Sequence, residues 1–189
     1  MSGFRRLSVR LPSSRLLIIV FVLTQMACSA AHRPAEVEVI ELPAYTPEES
    51  SLFNDEFDEA ALHGGAWSPD ALFAERVRRA DGVQAARIQT AGENPATKFG
   101  ETITVQLTPI GNALAGQGRT DPLELVLPRS NPSYRLFRWQ LGLVLGKDVV
   151  LFYRRYTQDG ETRVHFRAEP NDTQVYAAVQ QALLAPAPQ

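Results

Sequence analysis

Val149-Val150-Leu151-Phe152-Tyr153-Arg154-Arg155-Tyr156-Thr157-Gln158-Asp159-Gly160-Glu161-Thr162-Arg163-Val164-His165-Phe166-Arg167-Ala168 holds two runs rich in β-branched and aromatic residues, parted by Asp159-Gly160. Asp-Gly favours the two-residue turn whose twist matches that of paired strands. The stretch is therefore predicted to be a hairpin, with strands over 149–157 and 161–168. The register follows from the turn: Tyr156 opposes Arg163, Arg154 opposes His165, and Phe152 opposes Arg167. Side chains alternate across a strand, so these six share one face. Leu151, Tyr153, Val164 and Phe166 take the other, which reads as core.

The first face is expected to look outward. Arginine forks grip carboxylates and phosphates, and like charges placed opposite each other need screening. Phe152, Arg154, Tyr156, Arg163, His165 and Arg167 are thus either an ordinary solvated sheet face or the candidate ligand-binding face. In the second case the occupant is an anionic ligand or the chain's own acidic helix.

The remaining elements follow from caps and periodicity. Thr46-Pro47-Glu48-Glu49 has the form of a capping box with proline in the first turn. It opens a helix placing Leu52, Phe53, Phe57, Ala60 and Ala61 on one side and ending at Gly64-Gly65. A second helix is predicted over 69–80, with Gly82 as its left-handed cap. Strands are predicted over 83–90, 101–107 and 123–127, with a glycine-rich loop over 111–120. Asn131-Pro132-Ser133 opens a short helix carrying Tyr134, Phe137, Arg138 and Leu141. Asn171 caps a last one whose buried stripe is Val175, Val179, Ala182 and Leu183. Strand–helix–strand alternation does not run through the chain. The fold class is α+β: an antiparallel sheet of about five or six strands with three or four helices, mainly on one face. A small β-barrel with flanking helices is the alternative.

The first thirty residues carry a different signal. Arg5, Arg6, Arg10 and Arg15 precede the apolar run Leu16 to Leu23, and small residues follow. A membrane-spanning helix needs roughly 20 apolar residues, so this run is too short, and it reads as a secretory signal over 1–27. Gln25-Met26-Ala27-Cys28 resembles the lipobox of bacterial lipoproteins, departing from it at Gln25, where the family usually has leucine. The resemblance implies that Cys28 becomes the first mature residue and carries acyl chains. Ser29 behind it then resembles the outer-membrane sorting signal, since the family's retention signal is aspartate. The alternative is ordinary cleavage guided by Ser29 and Ala31, which discards Cys28 and leaves a soluble periplasmic or secreted protein. Residues 28–45 suit an extended tether, 46–185 a single domain, and 186–189 a frayed tail.

Cys28 is the sole cysteine, so the body has no disulfide. About 140 residues can bury a core without one. Loss of the four signal arginines leaves fifteen Lys+Arg against twenty-one Asp+Glu, a net charge of −6. That balance argues against nucleic acid as a partner. The acid is concentrated: residues 33–75 hold eleven acidic side chains and one basic, Arg33, whereas 119–189 hold nine basic and seven acidic. The acidic stretch is either a solvated segment or a segment docked on the arginine-rich half.

Motifs for chemistry are sparse. His63-Gly64-Gly65-Ala66-Trp67 resembles the oxyanion-hole motif of some α/β-hydrolases, but the nucleophile turn Gly-x-Ser-x-Gly does not accompany it. Two glycines ending a helix, with Trp67 covering the next one, is the simpler account. Asn54, Asp55, Glu56, Asp58 and Glu59 lack the alternating spacing of a calcium loop and read as a solvated helix face. His32, His63 and His165 stand far apart with no partner cysteine. The 111–118 loop lacks the lysine–hydroxyl pair that grips phosphate. No cofactor or metal is implied. The expectation is an envelope lipoprotein with a non-catalytic binding or scaffolding domain, its partners membrane lipid and an envelope protein or anionic ligand. A hydrolase or transferase with a site assembled from scattered residues is the rival of another class.

Overall fold

The computed structural model describes residues 41–97 and 100–186. The expected signal segment, Cys28, His32 and most of the expected tether and tail lie outside the described residues. Among those described, the order is α1 (Pro47–Leu52), β1 (Glu56–Phe57), α2 (Glu59–His63), α3 (Phe73–Arg79), β2 (Gly82–Thr97), β3 (Gly100–Gly116), β4 (Leu123–Pro128), α4 (Pro132–Val144), β5 (Asp148–Gln158), β6 (Glu161–Pro170) and α5 (Thr173–Leu184).

The fold is α+β, as the pattern of elements requires. Its six strands form one mixed sheet in the order β1-β6-β5-β2-β3-β4, curved into a half-barrel. Every pairing is antiparallel except that of the short β1 with β6. The curvature has a local cause. β2 and β3 slip register at four places, and bulges bend and twist a strand. The first half of β2 pairs with β5, and its far half continues with β3.

Two cores lie on opposite sides of the sheet. On one, Ile103, Val105 and Leu107 sit directly opposite Leu127, Leu125 and Leu123 on the neighbouring strand, beneath Phe137 and Val144 of α4 and Leu62 of α2. On the other, Val150, Phe152 and Tyr156 of β5 pack against Leu52 of α1, Phe73 and Val77 of α3, and Val175 and Val179 of α5. The helices therefore cover both sides. The continuous apolar run Val149 to Tyr153 supplies both cores, as a strand buried on two faces must.

Several local expectations change. The predicted helix over 46–63 is broken: α1 stops at Leu52, Asp55 takes a positive φ of 58°, and a new helix starts behind Asp58, whose carboxylate caps Ala60. Helix α3 starts at Phe73, later than 69, because Asp70 Oδ1 accepts from the amide of Leu72 in a turn. Gly82 is not a left-handed cap but the first residue of β2. The expected loop over 111–120 is largely strand, since β3 runs on to Gly116. Asp172, not Asn171, caps α5, accepting from the amides of Gln174 and Val175. Leu183, expected in the buried stripe, is exposed.

Candidate functional site

The hairpin forms with the register the turn demands. Phe152 opposes Arg167, Arg154 opposes His165, and Tyr156 opposes Arg163. Asp159 (φ 53°) and Gly160 (φ 77°) make the turn. The six side chains lie on one face, but that face is not outward. Phe152 and Tyr156 are fully buried in the second core, and His165 is 8% exposed. Phe152 meets Phe73 edge-on at 5.4 Å. The expectation of a solvated outer face is overturned by α1, α3 and α5, which cover it.

What covers the charged part is the acidic segment. Because the chain breaks after Leu52, residues 54–58 run alongside β6 instead of forming a helix face. The amide of Asp55 donates to Phe166 O and that of Asp58 to Ala168 O, both at 2.8 Å. This pins Asp55 opposite His165, and Glu56 and Asp58 opposite Arg167. Asp55 Oδ1 accepts from the Phe166 amide at 3.0 Å, and its Oδ2 lies 2.7 Å from His165 Nδ1. Arg167 holds three carboxylates: Glu56 and Asp58 at 2.9 Å each, and Glu169 at 3.2 Å. Glu49 of α1 accepts from the Tyr156 hydroxyl at 2.5 Å, pairs with Arg154 at 3.4 Å, and also binds Arg79. Arg154 lies 5.4 Å from the centre of the Tyr156 ring. Arg163 turns towards Glu161 and Asp159 beside the turn. Glu49 and residues 54–58 of the acidic stretch are docked, not solvated.

The network extends inward. Glu169, 3% exposed, accepts from Arg76, Arg167 and the Trp67 indole N–H. Burial pushes its carboxyl pKa up, and Arg167, Trp67 and Arg76 offset this only in part. Arg76 is 2% exposed; it also donates to Leu52 O and pairs with Asp70. Burial pulls the Arg167 pKa down, yet Glu169, Asp58 and Glu56 together leave it raised. Burial also raises the hydroxyl pKa of Tyr156, helped by its bond to Glu49. Buried charges are tolerated only when paired and hydrogen-bonded, and these are.

The residues 43–45, expected to belong to the tether, sit on the body. Pro43 O accepts from the Thr157 amide at 2.9 Å. The Tyr45 hydroxyl donates to Phe53 O at 2.6 Å. Sequence reasoning missed Tyr45, Glu49, Arg76 and Glu169 as parts of this constellation. The one visible signal was Glu169 two residues beyond Arg167, hence on the same face of β6.

An open cleft of about 670 Å³ adjoins the network, lined by Glu56, Asp58, Glu59, His63, Ser133 and Arg167 among others. Of the six expected ligand-face residues, only Arg167 reaches it. Three of its five N–H groups already bind Glu169, Glu56 and Asp58. Gly64 and Gly65 have positive φ and end α2; Trp67 packs edge-on against Phe73 at 5.3 Å. His63-Gly64-Gly65 is thus a helix stop. Among the described residues, three or more metal-ligating side chains do not converge anywhere, and no helix is long and apolar enough to cross a membrane. No family model, curated protein or solved structure matches the chain.

Proposed function

We propose that the chain is an exported lipoprotein, anchored in the outer membrane by acyl chains on Cys28 and holding a non-catalytic binding or scaffolding domain in the periplasm. The observation that carries this reading is the placement of the sole cysteine. It follows a basic start, a short apolar run and Gln25-Met26-Ala27, and it precedes Ser29. The buried part of the charge network, Arg76 with Glu169 and Glu49 with Tyr156, is bonded to itself, which supports a structural role for those side chains. The binding role then belongs to the surface around the network, not to the hairpin face itself.

Feeding cells an alkyne-tagged fatty acid tests the anchor. The purified chain incorporates the tag, and Cys28→Ser abolishes incorporation. An untagged wild-type chain contradicts the reading.

A further inference from the structure

Helix α4, kinked at Gln140, buries Tyr134, Phe137 and Val144 and, with its C-cap Leu145, turns a second apolar set away from the body. Trp139 is 77% exposed, Leu143 61% and Leu145 39%. A Cβ placed on Gly142 or Gly146 would meet nothing within 4 Å, so the strip is open along its length. The charge carried by this stretch of sequence has one sign. From Arg129 to Lys147 the sequence holds Arg129, Arg135, Arg138 and Lys147 and no acidic residue, within a chain whose net charge is negative. Glu101 pairs with Arg129 and Arg138, and Glu93 with Arg138. Lys147 donates to Leu62 O. Arg135 has no ion-pair partner among the described residues. The Arg138 guanidinium lies 5.4 Å from the centre of the Trp139 ring.

We infer that this face of α4 docks on an anionic phospholipid surface. An exposed tryptophan and leucines flanked by arginines make an interfacial membrane contact: the indole takes the headgroup–acyl boundary and the cations meet the phosphates. A second copy is the poorer occupant, because a two-fold contact sets this arginine-bearing face against itself. The inference rests on α4 and not on Cys28. A tether would strengthen the contact by raising its effective concentration.

The test reconstitutes the full chain with vesicles of phosphatidylcholine alone or mixed with phosphatidylglycerol. Subtracting the fluorescence of Trp139→Phe isolates the Trp139 emission. With anionic vesicles that emission shifts to the blue, is quenched by lipids brominated on their acyl chains, and loses at least threefold in acrylamide quenching relative to neutral vesicles. The pair Arg135→Glu and Leu143→Glu returns it to the neutral-vesicle value with an unchanged far-ultraviolet spectrum. Equal acrylamide access in both vesicles overturns the inference. So does shielding that grows with protein concentration in the absence of lipid, which means self-association. So does shielding seen only in native envelopes, which means a protein partner. The readout is local to Trp139, so failure of the acyl anchor registers separately, as loss of the fatty-acid tag.

Discussion

The imidazole of His165 stacks on the ring of Tyr45, with centroids 3.5 Å apart and planes 2° from parallel. Tyr45 also meets Tyr156 edge-on at 5.1 Å. Burial, with Asp55 and Glu49 nearby, raises the Tyr45 hydroxyl pKa. The point where the chain enters the domain is thus clamped onto the hairpin. Tyr45→Ala removes the stack and the hydrogen bond to Phe53 O, and should cost about 2 kcal/mol of stability. Urea unfolding checks this; a midpoint equal to wild type means the clamp is ornamental.

Arg167 joins the acidic segment to the sheet through Glu56 and Asp58, and also holds Glu169 of its own strand. Arg167→Met leaves Glu56, Asp58 and the buried Glu169 short of a counter-charge, and should destabilise by about 3 kcal/mol. The expected companion effect is protease cleavage near residues 54–58. Arg87 and Asp148 form an equally short pair in the open, at 2.7 Å. Exposed pairs contribute little, so Arg87→Gln should leave the unfolding midpoint unmoved. Comparable losses for the two variants would contradict the ranking by burial.

How far the constellation was legible differs residue by residue. The pairing of Phe152 with Arg167 followed from Asp159-Gly160, because a two-residue turn fixes register. That Phe152 is interior was readable in Val149 to Tyr153, a run too apolar for one buried face. The break after Leu52 was not readable. Residues 46–63 keep helical spacing of apolar positions, and the competing gain comes from β6, more than a hundred residues away. The segment gives up helical hydrogen bonds for amide bonds to Phe166 and Ala168, a side-chain contact with His165 and ion pairs with Arg167. Long-range compensation of this kind leaves its trace only in the excess of acid over residues 33–75.

Glu169 sets a pH dependence. Burial raises its pKa above the ordinary 4.5, so in that range the folded chain keeps a proton that the unfolded chain has released. Stability then falls as pH rises from the ordinary glutamate range through the raised value, and is flat above it. Glu169→Gln lacks this slope. The stability of wild type relative to the variant should therefore decline as pH rises above the ordinary glutamate range. A constant difference over that rise would mean that Glu169 titrates as an exposed carboxyl.

Gly82 and Gly142 make a matched pair for backbone tests. A Cβ on Gly82 would overlap Gln117 O and the Tyr153 hydroxyl, whereas one on Gly142 meets open space. Gly82→Ala should cost about 2 kcal/mol through overpacking where β2 meets β5. Gly142→Ala should gain about 0.5 kcal/mol by restricting the unfolded chain. Thermal unfolding of both variants decides; a destabilised Gly142→Ala would show that the outer side of α4 is already covered.

The proposal of a lipid-anchored envelope protein meets its most direct test in the intact mass of chain extracted from membranes. The account expects an amino terminus at Cys28 carrying a diacylglyceryl thioether and an amide-linked acyl chain, with residues 1–27 gone. An unmodified terminus between Ser29 and His32, on a chain free of lipid, would contradict it.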